Sequence, residues 1–463
     1  MEYKLKKIPQ GWEVKKLGEI VELKNGFAFK SNLFCNVGIP IIRIKNIQDK
    51  VVILNDLVFC NPCDYKNNLD DYLIKQNDIL IAMSGATTGK VGIYDSNEKA
   101  YLNQRVGLLR IDDDILRKYI FWFLCSKSEQ NLKSAFGAAQ PNLSTKQIHN
   151  IEIPLPPLKE QGRIAGILDL AFEKIDKSVE LLKANLANLD ELAQSVLDRA
   201  FNPLGDSADS TESTQNPSTR DTQSPYPLPQ HWEWKSLGEM CKILNGGTPD
   251  TKNPVFWDLN QSHEVQTDKS VVGVGGEVER GEGATSQFKP LHPLAKEKSY
   301  YWATLVDTKQ KYLYSTQRKI TQKGLDSSNA TLLPVNSVIF SSRASIGEVC
   351  IAKVETATNQ GYKNFVCDEN VLYYEFLYFA LQRFAKEIES LAQGTTYKEV
   401  SKAKISEFQI PLPKDIKEQE QIAMHLDSVF DKIQKLKELY NAQLQDYEEL
   451  KQSLLTQAFS GKL

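Results

Sequence analysis

Two stretches decide how this chain is built: "IPLPPLKEQGRIAGILD" at 153–169 and "IPLPKDIKEQEQIAMHLD" at 410–427. Each reads as a strand stopped by proline and followed at once by the opening of a helix. Proline cannot donate to a strand ladder, so Pro154, Pro156 and Pro157 end the strand in the first copy. Beyond the junction, 159–201 and 417–459 match at a constant offset of 258 (417 − 159), with about half the positions identical. In the first copy Leu168, Phe172, Ile175, Val179, Leu182, Leu186 and Leu189 fall at alternating steps of four and three, and Ala193, Val196 and Ala200 continue the series. Such spacing is a heptad seam on a long helix. The second copy offers Leu426, Phe430, Ile433, Tyr440, Leu444, Tyr447 and Leu454, interrupted by Lys437 and Lys451 with Leu436 and Leu450 beside them. A helix of this length spans roughly 50 Å at ~1.5 Å per residue, too long for a small domain to cover alone. Two equal helices with matching seams are therefore expected to pair with each other, antiparallel if a pseudo-two-fold axis relates the repeats.

The duplication extends upstream. "IPQGWEVKKLGEIVELKNG" (8–26) matches "LPQHWEWKSLGEMCKILNG" (228–246) at an offset of 220 (232 − 12), and "NDILIAMSGATTGKVGIY" (77–94) echoes "NSVIFSSRASIGEVCIA" (336–352). Both members of the second pair predict a strand, a polar turn and another strand. The ends of the two halves are alike and their middles diverge. The predicted organisation is a mixed segment at 1–157, a spacer helix at 158–201, a flexible linker at 202–226, a second mixed segment at 227–413 and a second spacer helix at 414–463. The linker assignment follows from composition, since a segment so poor in apolar residues cannot bury enough surface to offset its ordering entropy. The fold class is α+β: two mixed α/β domains and two long antiparallel coiled-coil helices in an internal pseudo-two-fold repeat.

Bulk properties exclude several functions. The 463 residues are 41% hydrophobic and 25% charged, and no apolar run approaches the ~20 residues of a membrane span. No secretory signal is visible, and seven scattered cysteines suit reduced thiols in the cytoplasm. Cys60 and Cys63 form one CxxC without a second pair at zinc spacing, so no metal site is expected. "SGATTGKV" (84–91) has three residues between its glycines and Val91 after Lys90, which departs from a phosphate-binding loop. No HExxH helix and no GxSxG elbow occurs. The net charge of −3 conceals a partition. Residues 1–157 hold 21 basic against 17 acidic groups, 226–412 hold 21 against 21, and the remainder holds 14 against 21. The acidity lies in helices and linker, which leaves the two mixed segments compatible with a nucleic-acid partner.

The layout resembles the specificity subunit of type I restriction–modification systems. The resemblance rests on two segments that each open near "PxxWxxxxLGE" and close with "IPLPxxxKEQ" and a long helix, and it covers essentially the whole chain. It implies two target-recognition domains that each read one half of an asymmetric bipartite site in double-stranded DNA. It implies helices that set the spacer and dock two modification (methyltransferase) subunits. It implies no catalysis and no cofactor on this chain, with S-adenosylmethionine, ATP and magnesium on the methyltransferase and restriction partners. No membrane partner is implied. Residue type and place nominate the DNA contacts, because Arg and Lys suit guanine edges and phosphates while Asn and Gln suit adenine. In the first segment they are Arg43, Lys45, Asn46, Ser84, Thr87, Thr88, Lys90, Asn103, Gln104, Arg105, Gln140 and Asn142. In the second they are Ser342, Arg343, Asn359, Gln360, Lys363, Thr395, Thr396, Tyr397 and Lys398. The competing reading is a non-catalytic coiled-coil adaptor holding two protein-binding domains, suggested by the zero net charge of 226–412.

Overall fold

The computed structural model describes residues 8–135, 142–205, 226–258, 298–393 and 398–463, with side chains placed outside 129–135. Most of the linker predicted at 202–226, together with Gln140, Thr395, Thr396 and Tyr397, lies outside the described residues. The chain divides into two compact units, one formed by 1–186 with 438–463 and the other by 187–437.

In both units the opening and closing motifs of the repeat are stitched together. Strand Glu13–Lys16 pairs antiparallel with Glu152–Leu155, and Trp232–Ser236 pairs with Gln409–Pro413. The register is the same in each: Glu13 faces Leu155 as Glu233 faces Leu412. The "W-E" opening and the "IPLP" closing are thus two sides of one ribbon, which is why they repeat together in sequence.

Each unit then builds the same five-stranded sheet. In the first its order is Leu23–Asn25, Val106–Leu109, Ile79–Ala82, Val91–Ile93, Lys50–Val51. In the second it is Cys241–Asn245, Tyr362–Cys367, Val338–Ser341, Val349–Ala352, Tyr312–Leu313. The central strands, "ILIA" and "VIFS", are buried on both faces and apolar but for Ser341 at the end of the second, as a covered sheet requires. The outer strand joins its neighbour parallel in both cases. A second sheet accompanies each and carries the divergence: five strands in the first unit, three among the described residues of the second.

The two long helices run Leu158–Phe201 and Ile416–Phe459, 44 residues each. At ~1.5 Å per residue that is about 66 Å, more than the roughly 50 Å covered by the apolar seam alone, although the first helix has the predicted bounds. The start of each is locked by the glutamine of the repeated "KEQ". Gln161 is buried and donates to the Pro156 carbonyl at 2.7 Å; Gln419 is buried and donates to the Pro413 and Val371 carbonyls at 2.9 and 3.0 Å. Its Oε1 also accepts the Tyr373 N–H at 2.9 Å. Asp169 and Asp427, which close the repeated motif, fasten the next turns: Asp169 accepts Trp122 Nε1 at 2.7 Å, and Asp427 accepts Lys311.

Each unit contains the first part of one helix and the last part of the other. In the first, Ile164, Leu168 and Phe172 share a core with Leu455, Ala458 and Phe459, whose ring lies 5.4 Å from Tyr119 and 5.3 Å from Phe123. In the second, Ala423 and Leu426 share a core with Leu197 and Phe201, whose ring lies 5.1 Å from Phe376. Phe201 and Phe459 are the same position of the repeat (459 − 201 = 258). Both units therefore hold the helices antiparallel, and an ion pair in each gives the same register: Asp176 with Lys451 at 3.0 Å (176 + 451 = 627) and Asp190 with Lys437 at 2.5 Å (190 + 437 = 627).

Along the first helix Leu168, Phe172, Ile175, Leu182 and Leu189 are buried, while Val179 and Leu186 are half-buried. Along the second, Leu426 and Ile433 are buried, and Phe430, Tyr440, Leu444, Tyr447 and Leu454 are half-buried. The expectation that Lys437 and Lys451 interrupt the seam is corrected. They occupy it, with stems covered and ammonium groups on aspartates, while Leu436 and Leu450 face outward at 39% and 43% exposure. A long aliphatic stem can bury while its charge reaches the rim, so a lysine fits where the heptad count alone would ask for leucine.

Candidate nucleic-acid interface

At one end of each five-stranded sheet four segments of chain meet. The first is the Asn-Gly step that ends the edge strand, Asn25–Gly26 or Asn245–Gly246. The second is the Asn-Gln turn, Asn103–Gln104 or Asn359–Gln360. A Cβ on Gly26 would stand 2.2 Å from the Asn103 carbonyl oxygen, and one on Gly246 would stand 1.7 Å from that of Asn359. Only glycine lets the two backbones approach so closely. The third segment leaves the central strand: Met83 N–H donates to the Arg105 carbonyl at 3.0 Å, and Ser342 N–H to that of Gly361 at 2.8 Å. The fourth precedes a short helix: Leu143 N–H donates to Met83 at 2.7 Å, and Val400 N–H to Ser342 at 3.1 Å. Serine caps that short helix in both units, Ser144 over Thr145–His149 and Ser401 over Lys402–Glu407.

These bonds fix a residue-by-residue correspondence between the units. Ser84, bridged to Asn142, stands where Arg343, bridged to Glu399, stands in the other. Gly107, opposite Ile81, stands where Lys363 stands opposite Phe340. The same frame presents different side chains.

Most of the sequence-nominated residues gather here, but not all point outward. In the first unit Gln104, Arg105 and Asn142 are exposed, Lys90 is half-buried, and Asn103 accepts the Arg105 N–H at 3.3 Å. Ser84 is half-buried, and its hydroxyl oxygen has no hydrogen-bond partner among the described residues. Thr87 donates to the Ile44 carbonyl at 3.0 Å, which brings the Arg43–Asn46 stretch beside this turn. Two nominations are corrected. Asn46 is 1% exposed, its amide spent on the Ile53 and Asn55 carbonyls and its oxygen on the Arg43 N–H. Thr88 is buried and donates to Gly85 at 2.6 Å. Both side chains are spent on closing turns. Lys45 is exposed and paired with Asp56; Arg43 is half-buried.

In the second unit Gln360 is exposed and bonded to Thr248, Lys398 is exposed, and Asn359 accepts the Gly361 N–H at 2.8 Å. Ser342 is buried, its hydroxyl on the Gly361 carbonyl at 3.1 Å, and this nomination too is corrected to a structural role. Lys363 is buried and bonds Glu399 at 3.1 Å, while Arg343 reaches Glu399 through Nε at 3.1 Å and through Nη2. Burial alone would raise the Glu399 carboxyl, but the hydrogen bonds from Arg343 and Lys363 outweigh it and hold the group below its ordinary value. A polar cleft of about 790 Å³ opens beside this cluster, lined by Asn245, Asn329, Gln360, Lys363, Glu399 and Lys402 among others. Glu399 was missed in the sequence. The serine caps would have found it, because counting back two residues from Ser144 and from Ser401 aligns Asn142 with Glu399.

A sheet present twice, each copy carrying the same cluster of polar loops and packed on parts of the same two long helices, defines a duplicated recognition scaffold. The model of the type I restriction modification DNA specificity domain matches the chain at residues 9–189 and again at 229–445, and the chain belongs to that family. It is 24% identical over 471 residues to the putative type I restriction enzyme MjaX specificity subunit of Methanocaldococcus jannaschii, a match covering 98% of this chain and 94% of that protein. It is 31% identical over 197 residues to the MjaVIII specificity subunit of the same organism, covering 41% of this chain and 45% of that protein. With the EcoAI specificity subunit of Escherichia coli it shares 29% over 201 residues, covering 42% of this chain and 34% of the relative. In the last two matches the chain spans less than half the relative's length.

Among solved structures, a chain described in work on complex assembly and conformational transition of the type I R-M system superposes with a TM-score of 0.69 at 18% identity, over 99% of this chain and 100% of that one. The HsdS subunit from Thermoanaerobacter tengcongensis gives 0.54 at 17% identity, with full coverage of both. At these identities the likeness is one of fold, and it is the fold class read from the sequence. Among the described residues no helix is long and apolar enough to cross a membrane.

Proposed function

We propose that each unit reads one half of an asymmetric, bipartite site in double-stranded DNA through the loop cluster at the end of its five-stranded sheet. The paired helices set the unread spacer and dock two modification subunits of a methyltransferase–endonuclease complex. The observation that carries this reading is the correspondence described above: one frame, built twice, with Ser84, Gly107 and Asn142 in one copy against Arg343, Lys363 and Glu399 in the other. Identical frames with different side chains are what two different half-sites require, since base edges are told apart by the donors and acceptors offered to them. In this reading the chain itself catalyses nothing and works in the cytoplasm. Methyl transfer from S-adenosylmethionine belongs to the modification subunits, and ATP and magnesium to the restriction subunits.

Exchange of residues 226–412 for the corresponding segment of another such subunit tests this. The assembled complex is expected to methylate a site with one half changed and the other intact. A site unchanged, or changed in both halves, contradicts the reading.

A further inference from the structure

We infer that Arg343 reads a guanine in the second half-site and that Glu399 is the positioning residue that holds its guanidinium for that task. The inference rests on the proposed DNA-reading role of the loop cluster and adds the base and the mechanism. Lys363 is 4% exposed and rooted in strand Tyr362–Cys367, next to the central one, and it grips Glu399 at 3.1 Å. Glu399, which lines the polar cleft, in turn takes Nε and Nη2 of Arg343, whose side chain is 40% exposed. The three form a chain of charge from the sheet to the surface. Engagement on the Nε–Nη2 side leaves the outer Nη1–Nη2 edge of the fork, the edge whose two parallel N–H groups match guanine O6 and N7.

A phosphate contact would be built differently. A carboxylate against the arginine weakens its attraction for an anion, and a phosphate needs no fixed plane because any orientation of the cation serves. Fixing the plane while halving the charge favours a base edge. The first unit supports the same assignment from the opposite side. All three members are absent there together, replaced at the corresponding positions by Gly107, Asn142 and Ser84, although the frame is kept. A triad required for folding would be present in both copies, whereas one that specifies a base would be present in one.

The test uses the complete complex with its modification subunits, and its readout is methylation of a randomised-site DNA library. Arg343→Ala is expected to lower discrimination at one G·C position of the second half-site by about tenfold to a hundredfold, the range for a lost bidentate guanine contact. The other positions and the whole first half-site remain as in the wild type. Glu399→Gln is expected to relax the same position, since a neutral amide has one acceptor oxygen and cannot serve Arg343 and Lys363 together. Arg343→Lys, which keeps the charge without the fork, should not restore it. Unchanged recognition by the first unit, with a melting temperature near the wild type, shows that the variants are folded.

Uniform weakening on all sequences, rescued by Arg343→Lys, would make Arg343 a phosphate contact and overturn the inference. An unchanged motif in Arg343→Ala would overturn it as well, reducing the triad to a surface ion pair. Either result leaves the wider reading intact if exchange of 226–412 still changes one half-site. If that exchange moves nothing, the wider reading has failed and the inference falls with it.

Discussion

Gly246→Ala gives a sharp test of the frame that supports the second loop cluster. An ordinary Cβ contact to an oxygen lies near 3.4 Å, and here it would be 1.7 Å from the Asn359 carbonyl, so about 1.7 Å of movement is required. The obstacle is backbone on both sides and cannot rotate away. It also interrupts the Gly246 N–H to Tyr362 carbonyl bond at 3.3 Å. Overpacking costs typically about 1–3 kcal/mol, and one weakened backbone bond adds about 1. A loss of about 3 kcal/mol lowers the melting temperature of a unit this size by about 6–12 °C. Differential scanning calorimetry reads the first effect. Library methylation by the assembled complex reads the second, a degraded second half-site beside an intact first, because Asn359 and Gln360 are pushed off their positions. A variant that melts within a degree of the wild type and methylates the same site would refute this reasoning about the close approach. Gly26→Ala should produce the mirror result in the first half-site.

Three further outcomes follow from the packing. Phe459→Ala removes a nearly buried ring from between Tyr119 and Phe123 and should cost about 3 kcal/mol in chemical denaturation of the full chain, with Phe201→Ala costing as much or more. Gln419→Leu leaves the Tyr373 N–H and the Pro413 and Val371 carbonyls without their partner, and a loss of about 2–4 kcal/mol is expected from the same measurement. Asp176 governs an acid limb. Burial pushes its carboxyl up, but the hydrogen bonds from Lys50 and Lys451 prevail and hold it below the ordinary value. A depressed carboxylate contributes stability that is complete above the unfolded value of about 3.9 and is lost as pH falls through the lower folded one. Denaturation followed from pH 5 downward should therefore show a steeper decline in the wild type than in Asp176→Asn, and parallel curves would contradict it.

Periodicity and repetition made the long helices, their antiparallel relation and the two-domain layout legible. Each is a local pattern written twice, and the proline stops mark the junctions without reference to anything distant. What stayed hidden depends on partners far away in sequence. The heptad count could not tell that Lys437 and Lys451 sit in the seam, because their acceptors Asp190 and Asp176 lie on the other helix. Phe201 and Phe459 lie beyond the last seam positions read from the sequence, yet each completes a core shared with the start of the opposite helix. In the candidate interface, residue type suggested Asn46, Thr88 and Ser342, but short polar side chains near turns are as often spent on closing the turn, as these three are. Glu399 escaped because a carboxylate is an unwelcome neighbour for DNA until its two cations are seen.

The central claim is that the two units read two half-sites independently through one duplicated frame. Single-base-resolution methylation sequencing of DNA modified by complexes carrying the wild-type chain, Gly26→Ala and Gly246→Ala tests it in one experiment. The account predicts a bipartite site whose first half degrades only in Gly26→Ala and whose second half degrades only in Gly246→Ala, with the spacer unchanged in both. Loss of both halves together in either variant, or of neither in both, would contradict it.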